Sequence, residues 1–167
     1  LSRGLLLAVR NNEIGLLRIM SNTVEEMSEG ELLQIEKTRK LDITEDIYFD
    51  IIRKKTASLI GACCASGANS VEENKKNVEN MRLFGEKAGM AFQIKDDLFD
   101  YTDKPFFDKP KGIDIREKKM TLPLIYTLNN VNKKTKSYII DTIKNHNKNN
   151  DKIYEIINIV RDAGGIR

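Results

Sequence analysis

Phe92-Gln93-Ile94-Lys95-Asp96-Asp97-Leu98-Phe99-Asp100 sets an amide and three carboxylates at i, i+3, i+4 and i+7, the spacing of one face of an α-helix. Such a face is normally an apolar stripe, and here it is acidic. Carboxylates stacked within a helical turn repel one another and lose solvation when turned inward, so the arrangement destabilises the helix unless a cation neutralises it. Hard carboxylate oxygens suit magnesium, which keeps several waters and takes one or two protein carboxylates, with substrate phosphates supplying further ligands. A solvated acidic face is the alternative reading. Against it stand Met81, Phe84, Ala88, Ala91 and Phe92 with Gly85 and Gly89, small and aromatic residues that predict a tightly packed helix.

Working outward, the chain has 167 residues, 40% hydrophobic and 32% charged, enough for one domain, 1–167, with a sizeable core. Leu, Ile, Lys and Glu are abundant, Trp is absent and only three prolines occur, which predicts an all-α chain. The net charge of +3 is spread among interspersed acids and bases, too mild a balance for nucleic-acid binding. The single His, His146, sits in an Asn- and Lys-rich stretch that reads as an interhelical loop. Adjacent Cys63 and Cys64 offer neither chelating spacing nor an easy bridge, and they read as small buried residues in a reducing compartment. No apolar run reaches the roughly 20 residues that span a bilayer.

Periodicity predicts helices over about 2–10, 12–26, 29–40, 44–67, 72–101, 120–130, 133–146 and 150–163, packed as an antiparallel bundle. Ile47, Ile51, Ile52, Leu59, Ile60 and Cys63 would form the apolar face of the fourth helix. Asp42 and Thr44 are candidate starts, and Gly67 and Gly164 candidate stops. The segment 102–119, with Pro105, Pro110 and Gly112, reads as irregular, a Lys- and Asp-rich loop able to close over a metal-bound anion.

The run 89–101, followed by Lys109-Pro110-Lys111-Gly112-Ile113-Asp114-Ile115-Arg116-Glu117-Lys118-Lys119-Met120-Thr121-Leu122-Pro123-Leu124, resembles the second aspartate-rich (DDxxD) region of the trans-polyprenyl diphosphate synthases. The long-chain bacterial branch, of octaprenyl or solanesyl type, is the most similar. Leu1-Ser2-Arg3-Gly4, Met27-Ser28-Glu29-Gly30-Glu31-Leu32-Leu33-Gln34 and Lys55-Thr56-Ala57-Ser58-Leu59 resemble further segments of that family in the same order.

The resemblance implies an isoprenoid synthase fold, helices around an active-site cavity, and a prenyltransferase that adds isopentenyl diphosphate to an allylic diphosphate. Magnesium would assist departure of pyrophosphate. By position Asp96, Asp97 and Asp100 would be metal ligands. Lys55, Lys109 and Lys119 would contact the allylic diphosphate, Gln93 would lie near the reacting groups, and Thr56 and Gln34 would stabilise the cation through oxygen dipoles. The family further implies a cytoplasmic homodimer, quinone side chains as the product's use, and peripheral membrane contact through that lipid product. Asp108 and Lys118 depart from the pattern, standing where glycines commonly precede the two loop lysines.

The chain starts at Leu1, inside what reads as a helix, and ends just after a helix stop. It is therefore expected to be a central to C-terminal portion, with the first aspartate-rich motif upstream, and to be inactive alone. A non-catalytic partner subunit of a prenyl synthase and a terpene cyclase are the alternatives.

Overall fold

The computed structural model describes residues 2–71, 74–102 and 111–167. Among these the secondary structure is entirely helical: α1 (Ser2–Arg10), α2 (Ile14–Lys40), α3 (Glu45–Ile52), a π-helical turn (Arg53–Ala57), α4 (Ser58–Asn69), α5 (Lys75–Phe99), α6 (Ile113–Arg116), α7 (Leu122–Asn130), α8 (Lys133–Asn145) and α9 (Asn150–Asp162). The protein is all-α, as composition predicts. No helix among the described residues is long and apolar enough to cross a membrane.

Several local expectations are corrected. The helices expected over 12–26 and 29–40 are one helix, α2, that begins at Ile14; the Ser28 hydroxyl donates back to the Val24 carbonyl at 2.7 Å and so does not cap a new helix. Thr44 does start α3, its hydroxyl accepting from the Ile47 N–H at 3.4 Å. Gly67 lies inside α4, whereas Gly164, at φ 83°, stops the chain beyond α9. Within the segment read as irregular, Ile113–Arg116 is a helical turn entered through Gly112 at φ 72°.

The π turn explains a further miss. Ser58 N–H donates to the Arg53 carbonyl, five residues back, so the turn carries one residue more than an α turn. The buried face therefore steps from Ile51 and Ile52 to Ala57 and Ser58, then to Gly61, Ala62 and Ala65. Leu59 and Cys63, on the face an uninterrupted helix would bury, are exposed. Neither cysteine is buried, Cys64 being intermediate.

The chain divides into two compact units, Leu1–Leu33 with Asp50–Gln93, and Gln34–Phe49 with Ile94–Arg167. In the first, a Cβ on Gly15 would touch Asn69, and one on Gly30 would meet Lys54 and Lys55, so α2 runs antiparallel to the π turn and α4. Gly85 and Gly89 of α5 abut Ile60 and Ala57 in the same way, a Cβ at Gly85 coming within 2.7 Å of the Ile60 carbonyl. The tight packing expected of α5 thus belongs to its glycines. Met81, Phe84 and Phe92 are exposed, the two phenylalanines by 64% and 63%.

The second unit has an aliphatic core of Leu124, Ile125, Leu128, Ile139, Ile143, Ile153, Ile156, Ile157 and Val160, all buried. Each fully buried isoleucine there contributes about 1.5–3 kcal/mol. Asn132 and Asn149 cap α8 and α9, accepting from Thr135 N–H and Lys152 N–H, and Pro123 opens α7. Arg161 Nε donates to the Tyr101 carbonyl at 2.7 Å and so ties α9 to the chain just beyond α5.

Candidate active site

In the second unit, the C-terminal end of α5 delivers Asp96 and Asp97, with Asp100 just past the last helical residue. Their environments differ. Asp96 is exposed, whereas Asp97 is buried and its Oδ2 accepts from the Tyr48 phenol at 2.6 Å. Asp100 Oδ1 accepts from Ile113 N–H at 2.9 Å and Oδ2 from Asp114 N–H at 3.1 Å, so this carboxylate caps α6 from across the loop. Burial raises the Asp100 carboxyl above the usual range, and the backbone donors from Ile113, Asp114 and Gly112 oppose that rise.

Asp114 is the residue that sequence reasoning missed. Burial, reinforced by the charges of Asp100 and Asp97, pushes its carboxyl up to about 7. Lys119 supplies positive charge, its Nζ 3.8 Å from Asp114 Oδ1 and 2.5 Å from Glu117 Oε2. Burial pulls the Lys119 ammonium down, but Glu117 and Asp114 outweigh it and the net shift is upward. Tyr48 was also missed, since it lies 49 residues before its partner and no local spacing links them.

Asp100, raised by burial, and Asp114, raised by burial and by the charges of Asp100 and Asp97, join Asp96 and Asp97 in an all-carboxylate donor set that fits a hard divalent cation. No group of three His, Cys, Asp or Glu side chains among the described residues is arranged to hold an ion by itself. The fit is to an ion that takes one or two carboxylates and completes its shell with water and phosphate oxygens.

In the first unit, the π turn presents Lys55 and Thr56. Thr56 Oγ1 donates to Gln93 Oε1 at 3.0 Å. Lys55 pairs with Glu31 at 2.6 Å and Lys54 with Glu29 at 3.1 Å, so the two glutamates of α2 flank Gly30 and engage the turn's lysines. A Cβ on Gly30 would lie 2.8 Å from the Lys55 backbone nitrogen and 2.9 Å from Lys54 Cβ, closer than packed atoms approach. Gly30 is therefore the seat of the π turn. Gln34, one turn further along α2, is partly buried. Lys109 lies outside the described residues, as do Pro105, Asp108 and Pro110. Lys118 adopts φ 58°, a left-handed conformation that glycine accommodates without strain, and its Nζ donates to the Lys144 carbonyl at 2.9 Å.

The sequence profile of the polyprenyl synthetase family matches residues 2–160. The chain belongs to this family. It is 32% identical over 148 residues to the short chain isoprenyl diphosphate synthase of Methanocaldococcus jannaschii, covering 88% of this chain and 45% of that protein. Against the all-trans-nonaprenyl-diphosphate synthase (geranyl-diphosphate specific) of Rhodobacter capsulatus it is 35% identical over 152 residues, covering 90% and 46%. The crystal structure of a polyprenyl synthase from Caulobacter crescentus, complexed with calcium and isoprenyl diphosphate, matches with a TM-score of 0.90 at 28% identity, covering 99% of this chain and 51% of that one. The chain thus spans about half the length of the relatives it matches.

Proposed function

We propose that this chain carries part of the catalytic apparatus of a trans-polyprenyl diphosphate synthase, which joins isopentenyl diphosphate to an allylic diphosphate in head-to-tail elongation. The observation that carries the reading is the carboxylate cluster of Asp96, Asp97, Asp100 and Asp114, with Asp114 held near neutrality by burial and by its neighbours' charge. Asp96 and Asp97 would hold magnesium, and Asp100 would act directly or through water. When bound, magnesium supplies Lewis-acid neutralisation of charge on the departing pyrophosphate.

The chain's own residues divide the remaining work. Lys55, Lys109 and Lys119 bind diphosphate oxygens as point charges. Thr56 and Gln93, hydrogen-bonded to each other, and Gln34 offer oxygen dipoles to the allylic cation. Each of these groups is uncharged, so it stabilises a carbocation without trapping it by proton or ion-pair chemistry. The family resemblance extends the proposal to a cytoplasmic homodimer whose lipid product, a quinone side chain in the long-chain branch, meets the membrane.

Isothermal titration of the chain with a methylene bisphosphonate, with and without magnesium, tests the site. Binding should require magnesium and weaken in Asp96→Ala and Asp97→Ala. Metal-independent binding that both variants retain in full would remove the basis of the assignment.

A further inference from the structure

The Tyr48 phenol donates to a side chain that is itself a proposed metal ligand. We propose that Tyr48 is a positioning residue that holds the Asp97 carboxylate in its metal-binding orientation, an inference that rests on the reading of the acidic cluster given above. Both residues belong to the second unit, Tyr48 is 3% and Asp97 6% exposed, and the phenol donates to Asp97 Oδ2 at 2.6 Å.

The phenol is itself fixed. It projects from α3, and its ring stacks edge-on with Phe49 at 5.5 Å between centroids. A carboxylate on a free side chain samples several rotamers and loses that freedom when a cation arrives. Asp97 is ordered beforehand, since Oδ2 is committed to a donor that cannot follow it elsewhere. Asp96, its exposed neighbour in the same helical turn, lacks that burial. Removing partners that orient metal ligands typically weakens metal affinity by about 10–100-fold.

Tyr101 supplies an internal comparison. It is fully buried in the same unit and shares a hydrogen bond of 3.0 Å with Thr121 Oγ1, a neutral hydroxyl and not a carboxylate. Loss of its hydroxyl removes a buried hydrogen bond without touching a candidate ligand.

The experiment titrates the full chain with magnesium at fixed methylene bisphosphonate. Tyr48→Phe should raise the magnesium concentration at half-saturation about tenfold, while Tyr101→Phe leaves it unchanged. In an Asp97→Asn background, Tyr48→Phe should add nothing, whereas a merely structural role would shift both backgrounds alike. An unchanged magnesium dependence in Tyr48→Phe, or an equal shift in the Asp97→Asn background, overturns the proposal. If Tyr48→Phe loses its helical circular dichroism, 4-fluorophenylalanine placed at position 48 fills the space of the hydroxyl without offering a donor. A wild-type magnesium midpoint in that protein overturns the proposal as well. Wild-type chain with no magnesium-dependent binding overturns the parent reading and this one together, a result distinct from wild type that binds and a variant that matches it.

Discussion

Thr56 Oγ1 and Gln93 Oε1 are joined by a 3.0 Å hydrogen bond that links the π turn to α5 inside one compact unit. The two residues are 37 positions apart, and both are partly buried. Thr56→Val and Gln93→Leu should each destabilise the chain by about 1 kcal/mol, with a coupling energy of about 0.5–1.5 kcal/mol in a double-mutant cycle read by urea denaturation. Strict additivity would show that the bond contributes nothing in solution.

Gly30→Ala should cost about 1–3 kcal/mol, because backbone atoms and not a flexible side-chain tip occupy the space a Cβ needs. The loss should appear as a lower urea midpoint with an unchanged slope. Gly4, where a Cβ would meet nothing within 4 Å, is the control, and Gly4→Ala should be neutral or stabilising.

The raised Asp114 carboxyl has a definite consequence for pH. Its folded value of about 7 lies above the ordinary 3.8, so the native state holds a proton that the unfolded state has released across that interval. Its contribution to stability is complete below the ordinary value and is lost as pH rises through about 7. In metal-free buffer the urea midpoint should fall between about pH 5 and about pH 8. Asp114→Asn should flatten that fall and be the more stable protein at the higher pH.

Cys63 is exposed on α4, whereas Cys64 packs against Gly85 of α5. A chromogenic disulfide reagent should therefore react in two phases on the native chain, and Cys63→Ser should abolish the fast one. Equal rates for the two thiols would contradict the face that the π turn assigns to α4.

Lys118→Gly should relieve a left-handed backbone, worth about 1–2 kcal/mol for a residue with a Cβ, against the lost donation to the Lys144 carbonyl. A net rise in melting temperature is expected by calorimetry.

How much of this was legible in the sequence varies by residue. Asp96, Asp97 and Asp100 stand out as candidates because helical spacing is local and visible in the sequence. Their unequal surroundings do not, because the groups that distinguish them, Tyr48 and the N–H groups of Ile113 and Asp114, arrive through tertiary packing. The all-α class followed from composition. The continuity of α2 was hidden because Ser28 has the same letter whether it caps a helix or bonds back within one. The face of α4 was misread because one extra residue in a turn rotates everything beyond it, and no residue type in Arg53–Ala57 announces that insertion. Lys118 stands where the resemblance leads one to expect a glycine, and its left-handed φ of 58° is a conformation glycine adopts without strain.

The π turn also makes chain length, and not only residue identity, a constraint in this part of the protein. That turn absorbs one residue more than an α turn holds, whereas a single insertion or deletion within α4, Ser58–Asn69, has no such slack and would swing the helix beyond it by about 100°, presenting another set of side chains to α5. A one-residue deletion in a surface loop shortens a connection. In α4 it would change which helix surfaces meet, so insertions and deletions should be excluded from 58–69 more strictly than substitutions.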